Sequence, residues 1–413
     1  MSEHKENVPK IRFPGFTDAW EQLELSDVAN VMDGDRGKNY PSGDDFSVQG
    51  HTLFLNATNV TKDGFSFGND QYITEEKSNT LGNGKIELND IVLTSRGSLG
   101  HVAWYDTDIK SLVPFARINS GMLILRSKED VEPSYIAQYL KSPAGKRQID
   151  LISFGSAQPQ LTKKDVSNYK IFIPEKAEQS QLGELFTQLD HLITLHQRKL
   201  NNVRNLKDGL LQKMFPKNGE DFPEIRFPEF TGAWEQQRLG EVAEFNPKSM
   251  LPDEFEYVDL ESVVGTNLIA HRTESKESAP SRAQRLAQCG DVFYQTVRPY
   301  QKNNYLYELP YDNYVFSTGY AQMRPSIDSY FLLSHVQEEL FVKTVLDRST
   351  GTSYPSINSN DLAEIEIKIP IHNDEQLKIG SLFRNLDHLI TLHQRKLQHL
   401  QEQKKALLQQ MFI

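Results

Sequence analysis

Cysteine is nearly absent: the 413 residues hold one, Cys289. A single thiol excludes an internal disulfide and any cysteine-built zinc cluster. Long apolar runs are missing as well, and nothing nears the roughly 20 apolar residues that a membrane helix needs. The segment Met1 to Lys10 is polar and lacks the apolar core of a secretion signal. These absences point to a cytoplasmic protein without a membrane partner. Excess positive charge is lacking too. Lysine and arginine number 45 against 56 carboxylates, a net charge of −11, which speaks against a nonspecific nucleic-acid binder but not against clustered basic groups. One local excess stands out in residues 141–170, where Lys141, Lys146, Arg147, Lys163, Lys164 and Lys170 face only Asp150 and Asp165.

Catalytic signatures are the next absence. No phosphate loop, HExxH, GxSxG or GxGxxG occurs. Gly84-Lys85-Ile86 lacks the hydroxyl and the upstream glycine that would cradle a phosphate. One short pattern fits by letters: Pro252-Asp253, then Glu274-Ser275-Lys276. Two carboxylates holding Mg²⁺ and a lysine near the attacking water would make a nuclease centre. The pattern is short and loosely spaced in a charge-rich chain, and solvated surface is its simpler reading. His191 and His196 are five apart and share no helix face, so no metal site is expected.

What the chain does have is duplication. Leu189 to Leu200 (LDHLITLHQRKL) returns unchanged at Leu386 to Leu397. Upstream, Val8 to Gln22, containing Arg12-Phe13-Pro14-Gly15-Phe16 and Trp20, returns as Phe222 to Gln236 with Arg226-Phe227-Pro228-Glu229-Phe230 and Trp234. A third pair joins them: Gly155 to Leu161, ending in Ile171-Phe-Ile-Pro174, matches Gly351 to Ile357, ending in Ile367-Lys-Ile-Pro370. The lead segments lie 214 positions apart and the helical blocks 197, so the first body is 17 residues longer than the second. A kept framework with diverged bodies suits one scaffold presenting two different recognition surfaces. The tryptophans and the phenylalanines Phe13, Phe16, Phe227 and Phe230 are expected to anchor the lead segments by packing.

From Leu182 the positions Leu182, Phe186, Leu189, Ile193, His196, Leu200, Val203, Lys207, Leu210 and Met214 alternate spacings of four and three, and Ile379 to Met411 repeats them. That 3.5-residue period predicts a coiled-coil seam. Helices of about 35 residues would span roughly 50 Å. Pairing by pseudo-twofold symmetry favours an antiparallel arrangement, with His196 and His393 near the axis. Lys207 and Lys404 are expected to pack their stems and extend their ammonium groups to solvent. The bodies mix short strand-like runs (Ile91-Val-Leu-Thr, Met122-Leu-Ile-Leu) with helical patches such as Ser134 to Leu140, so the fold class is α+β with a pseudo-twofold internal repeat.

Taken together, the duplicated lead segments, the two variable bodies and the two heptad helices ending Leu210-Leu-Gln-Lys-Met-Phe215 and Leu407-Leu-Gln-Gln-Met-Phe412 resemble the specificity subunit of type I restriction-modification systems. Asn89-Asp90-Ile91-Val92 and Gly290-Asp291-Val292-Phe293, each soon followed by an arginine, belong to the same pattern. The resemblance covers nearly the whole chain. It implies a lead segment at 1–20, a target recognition domain at 21–175, a spacer helix at 176–215, a linker with the second lead segment at 216–234, a second recognition domain at 235–371 and a second spacer helix at 372–413. Each recognition domain would read one half of a split double-stranded DNA site. The antiparallel helices would set the gap, with domain centres about one to one and a half turns apart at 34–36 Å per turn. Two methyltransferase subunits would dock on the helices, and restriction subunits would join them. S-adenosylmethionine, ATP and Mg²⁺ would belong to those partners, leaving this chain without catalytic residues or a cofactor.

Bases are read by side chains that make paired hydrogen bonds, and phosphate contacts set position. On that ground the expected DNA-contacting residues of the first body are Arg36, Lys38, Asn39, Arg96, Ser156, Gln158, Gln160, Lys163 and Lys164. Those of the second are Arg298, Tyr300, Gln301, Lys302, Asn303, Thr352, Ser353, Tyr354 and Asn358. The expected docking face for partner subunits is Gln197, Arg198 and Lys199 with the identical Gln394, Arg395 and Lys396. A non-DNA adaptor, displaying two protein-binding domains on a coiled coil, is the alternative that the acidic charge slightly favours.

Overall fold

The computed structural model describes residues 7–153, 159–217 and 219–413. Two helices dominate: α1, Lys176–Lys213, and α2, Asn373–Met411, of 38 and 39 residues. The chain divides into two compact units, Met1–Leu195 with Lys396–Ile413, and His196–Arg395. The division falls inside α1 and α2 rather than at their ends. Each unit therefore holds the first half of its own long helix and the last half of the other.

In the first unit a four-stranded antiparallel sheet runs in the order Ala29–Asp33, Met122–Ser127, Ile91–Thr94, Val102–Trp104. A smaller sheet places Thr52–Leu55 between Tyr72–Ile73 and the parallel strand Ala116–Ile118. The strand Glu21–Glu24 that follows the lead segment pairs with Lys170–Ile173, just before α1 begins. The second unit repeats this plan. Ala243–Phe245, Tyr320–Pro325, Val292–Gln295 and Tyr305–Leu306 form the first sheet. Arg272–Ser275, Glu254–Val258, Tyr314–Ser317 and Ala283–Leu286 form the second, again with one parallel pair. Glu235–Arg238 pairs with Glu366–Ile369 in the register of the first copy. Both units are thus α+β, as the mixed runs predict.

The lead segments have a definite task. The first turn of each long helix carries a buried carboxylate, Glu178 and Glu375. Arg12 grips Glu178 with Nε and Nη2 at 2.6 and 2.7 Å, and Trp20 donates its indole N–H at 3.2 Å. Arg226 and Trp234 hold Glu375 in the same way at 2.7, 2.8 and 3.3 Å. Burying a carboxylate is tolerable only when it is paired and hydrogen-bonded. The arginine–tryptophan spacing supplies both partners from one short segment. The tryptophans are buried, as expected, and also polar partners.

The endings of the long helices close the cores. Phe412 sits among Trp20, Tyr135, Tyr139 and Phe186 at centroid distances of 6.3, 5.7, 5.8 and 5.4 Å. Phe215 sits among Trp234, Phe331, His335 and Phe383 at 5.9, 5.6, 4.9 and 6.0 Å. Each unit is thus plugged by the helix that began in the other repeat.

Within each unit the two helix halves run antiparallel along the predicted seam. Phe186 and Asp190 of the first unit meet Phe412 and Lys404. In the second, Phe215, Lys207 and His196 meet Phe383, Asp387 and His393. The His196 and His393 Nδ1 atoms are 3.1 Å apart. The lysines depart from expectation. Lys207 and Lys404 are half-buried, and rather than extending freely into solvent each binds an aspartate of the facing helix, Asp387 and Asp190, at 2.5 Å. The remaining aspartate oxygens accept from Tyr330 Oη and Gln138 Nε2 at 2.9 and 2.8 Å. A polar pair at the seam costs desolvation but fixes register. Close packing against the bodies needs glycine at one helix position: a Cβ on Gly183 would lie 2.1 Å from Ser134 Oγ, and one on Gly380 2.1 Å from Asp328 Oδ1.

Candidate nucleic-acid interface

In the first unit, three of the expected residues converge on one turn. The Arg36 guanidinium donates to the Ser120 carbonyl at 3.3 Å and lies 3.4 Å from Asp33. The Arg96 backbone N–H donates to the Gly121 carbonyl, and Arg96 Nε donates to Gln160 Oε1 at 3.1 Å. The loop carrying Arg36 is tied down by Asp35, whose carboxylate accepts from the N–H groups of Gly37 and Gly82 at 2.6 and 2.7 Å. Those backbone donors, Gly37 first, hold the Asp35 carboxyl below the usual range. Asn39 donates to the Thr80 carbonyl. Lys38, Lys163 and Lys164 are exposed, and among the described residues none has a partner. Lys163 and Lys164 open the short helix Lys163–Ser167, capped by Thr162. Ser156 and Gln158 lie outside the described residues.

The basic excess of residues 141–170 is partly spent. Lys141 is largely buried 4.0 Å from Asp190, its ammonium pKa lowered by burial, and Lys170 pairs with Glu24 at 2.8 Å. These two lysines belong to the interior and to a strand pair, not to a free basic face.

In the second unit the matched loops are zipped together. Arg298 N–H donates to the Pro355 carbonyl at 2.8 Å, and Ile357 N–H donates to the Thr296 carbonyl at 3.0 Å. The first unit has the equivalent Leu161 N–H to Ser95 carbonyl bond at 3.0 Å. Arg298 and Lys302, neither a glycine, take left-handed backbone with φ of 55° and 54°. Strain of this kind gathers at functional loops. The Arg298 guanidinium stacks 4.5 Å over the Tyr354 ring. Tyr300 and Tyr354 are exposed, as are Thr352 and Ser353.

Other expected residues are engaged inside the unit. Gln301 accepts from Gln295, Asn303 accepts from the Gly265 N–H at 2.8 Å, and Lys302 binds Glu339 at 2.7 Å. Asn358 caps the helix Ser359–Ala363, accepting from the Asp361 N–H at 2.8 Å. That is the role of Thr162 in the first unit.

Sequence reasoning missed the partners of Asp90 and Asp291. Each is fully buried and held by a two-pronged arginine. Arg126 reaches Asp90 at 2.8 and 2.8 Å, and Arg324 reaches Asp291 at 2.9 and 2.9 Å. These contacts raise both guanidinium pKa values. The aspartates also accept from the N–H three residues upstream, Glu87 and Gln288, which shapes the turn into the strand ahead of Arg96 and of Arg298. Asp253, Glu274 and Lys276 do become strand neighbours. The Glu274 carboxylate, however, is taken by Arg272 at 2.6 Å, a cation where a metal would have to sit. Among the described residues no group of three or more His, Cys, Asp or Glu is placed to hold a metal ion. Nor is any described helix long and apolar enough to cross a membrane.

Residues 17–205 and 232–402 each match the family described as the type I restriction modification DNA specificity domain. Two proteins of Methanocaldococcus jannaschii are similar. The type I restriction enzyme MjaVIII specificity subunit is 24% identical over 62% of this chain and 64% of its own length. The putative type I restriction enzyme MjaX specificity subunit is 20% identical over 98% of this chain and 95% of its own. The alignment thus spans just under two thirds of the first relative. A solved S subunit of a type I restriction-modification system from M. genitalium superposes with a TM-score of 0.68 at 15% identity, covering 98% of this chain and 99% of that one, a likeness of fold. With the domain matched twice across most of its length, the chain belongs to the type I restriction-modification DNA specificity family.

Proposed function

We propose that each unit reads one half of a bipartite double-stranded DNA site and that the long helices set the spacing between the halves. The observation that carries this reading is the occurrence of the specificity domain twice in one chain, at 17–205 and 232–402. The matched loops differ in their polar residues, Arg96 with Gln160 against Arg298 with Tyr354, as two unlike half-sites require. In the first unit Arg96 and Gln160 read bases while Lys38, Lys163 and Lys164 meet phosphates. In the second, Arg298, Tyr300, Thr352, Ser353 and Tyr354 form the reading surface. Gln301, Lys302, Asn303 and Asn358 hold that surface in shape.

Two methyltransferase subunits dock on α1 and α2 and methylate adenine N6 with S-adenosylmethionine. Restriction subunits using ATP and Mg²⁺ complete a cleaving complex in the cytoplasm, and this chain supplies no catalytic group. The docking face includes Arg198, Lys199, Arg395 and Lys396, all exposed, beside half-buried Gln197 and Gln394. The exposed Leu192, Leu195, Leu389 and Leu392 give that face an apolar component. Mapping N6-methyladenine across a genome with and without this chain tests the reading. A split motif that vanishes on deletion is the expected result, and unchanged methylation would remove the proposal. Charge reversal at Arg198, Lys199, Arg395 and Lys396 should weaken co-purification of methyltransferase subunits while the chain stays folded.

A further inference from the structure

Arg298 differs from the other arginines of the candidate interface and from Lys302. Arg36 is shared with Asp33 and Ser120, Arg96 with Gln160, and Lys302 with Glu339. Among the described residues, no carboxylate pairs with Arg298 and no acceptor takes its side-chain N–H groups. The guanidinium is nevertheless fixed in place. Its Cζ lies over the Tyr354 ring, 4.5 Å from the centroid, its own N–H is bonded to the Pro355 carbonyl, and its backbone is held at a φ of 55°. Stacking uses the face of a guanidinium and leaves the donors in its plane free. An arginine with a fixed plane and an unused edge is prepared for a planar acceptor pair. In the major groove, guanine offers that pair as O6 and N7.

Resting on the reading of the second unit as a half-site reader, we infer that Arg298 reads a guanine in the major groove through a two-pronged hydrogen bond. The half-site of the second unit therefore contains at least one guanine. Tyr354 is a positioning residue: its ring sets the plane of the guanidinium, and its hydroxyl takes no part in the stacking. A phosphate contact would need neither the fixed plane nor the strained backbone.

The test maps N6-methyladenine in cells carrying the complete system, with the wild-type chain, no chain, Arg298→Ala, Arg298→Lys and Tyr354→Ala. The wild type should give a split motif with guanine in at least one half. Arg298→Ala should make one guanine position degenerate, losing a preference of roughly 5- to 150-fold, with the other half-site unchanged. Arg298→Lys, which keeps the charge but not the fork, should relax the same position. Tyr354→Ala, which removes the ring beneath the guanidinium, should weaken the same guanine preference. A motif that survives Arg298→Ala unaltered, or a uniform drop in methylation at an unaltered motif, overturns the guanine assignment and leaves the half-site reading standing. If Arg298→Ala abolishes methylation altogether, the lysine variant decides: a relaxed guanine supports the assignment and an intact motif overturns it. Methylation that is the same with and without the chain defeats the half-site reading itself.

Discussion

Tyr139 and His335 occupy matched places in the two repeats, each beneath the phenylalanine that ends the other repeat's long helix. Tyr139 satisfies its hydroxyl on the Ile413 carbonyl at 3.0 Å. His335 is buried, with no hydrogen-bond partner for either ring nitrogen among the described residues, and Glu338 lies 3.5 Å away where the first unit has Ser142. A cavity of about 220 Å³, lined by His335, Glu338, Phe341, Ile365 and Lys368 among others, opens beside them. The first unit thus holds its helix plug with a satisfied aromatic layer. The second holds its own with two buried ionisable groups. Identical scaffolding tolerates this because the apolar contact with the phenylalanine is kept in both.

The largest expected effects attack what the units share. Phe412→Ala and Phe215→Ala should each cost about 3–5 kcal/mol, the range for emptying a buried aromatic site. Phe412→Ala should expose amides of the first unit to hydrogen exchange, and Phe215→Ala those of the second. If either variant loosened only the unit in which its helix begins, the exchange of helix ends would be refuted. The second unit, with a cavity already present, should lose the less of the two.

Next in size is a pH effect confined to the second unit. Burial pushes the Glu338 carboxyl up from 4.5 to about 8 and the His335 ring down from 6.5 to about 4. The folded unit keeps a proton on Glu338 that the unfolded chain releases above pH 4.5, so this term weakens as pH rises toward 8. The unfolded chain protonates His335 below pH 6.5 and the folded unit does not, so that term weakens as pH falls toward 4. The two oppose one another between pH 4.5 and 6.5. Between 6.5 and 8 only Glu338 acts, and at about 1.4 kcal/mol per pH unit the second unit should lose about 2 kcal/mol. Glu338→Gln should flatten this slope in urea unfolding followed by hydrogen exchange. The first unit, with Tyr139 pushed up to about 12, should show no such slope from this position.

Gly380→Ala should come next, at about 1–2 kcal/mol. The added methyl meets Asp328 Oδ1, which caps the helix Ser329–Val336 by accepting from the Phe331 N–H at 2.7 Å, and loss of a cap costs about that much. Gly183→Ala meets Ser134 Oγ and Cβ at the start of a helix that has no side-chain cap to lose, and should cost less. Equal losses in thermal unfolding would show that the cap is not what Gly380 protects.

Some of this was readable in advance. The seam, its antiparallel direction and the meeting of His196 with His393 follow from a period of 3.5 and an internal repeat. The lysine pairs were half legible. Asp190 and Asp387 lie inside the identical block, but linking them to Lys404 and Lys207 needs the register of an antiparallel pair, which the pattern alone does not set. The Asp90 motif was visible while its partner Arg126 was not, since 36 residues separate them and only the strand order Met122–Ser127 beside Ile91–Thr94 joins them. Loop contacts were the least legible. Nothing local ties Arg298 to Tyr354, 56 positions on, and the side chains chosen for their hydrogen-bonding chemistry include some, such as Asn358, whose chemistry is spent within the fold.

The smallest effect sharpens the same comparison at the interface. The first unit offers Lys163 and Lys164, without a partner among the described residues, at the start of a short helix, whereas Lys302 of the second is bound to Glu339. A lysine that neutralises a phosphate releases a counterion, and each such contact steepens the fall of affinity with salt by about 0.9 in the log–log slope. For the complex on its own duplex, Lys163→Ala and Lys164→Ala should each lower that slope by about this amount, with affinity falling alike on matched and mismatched sequences. Lys302→Ala should leave the slope where it was, because its charge is already answered inside the fold. A slope that drops with Lys302→Ala and holds with the other two would reverse the assignment of positioning contacts between the units.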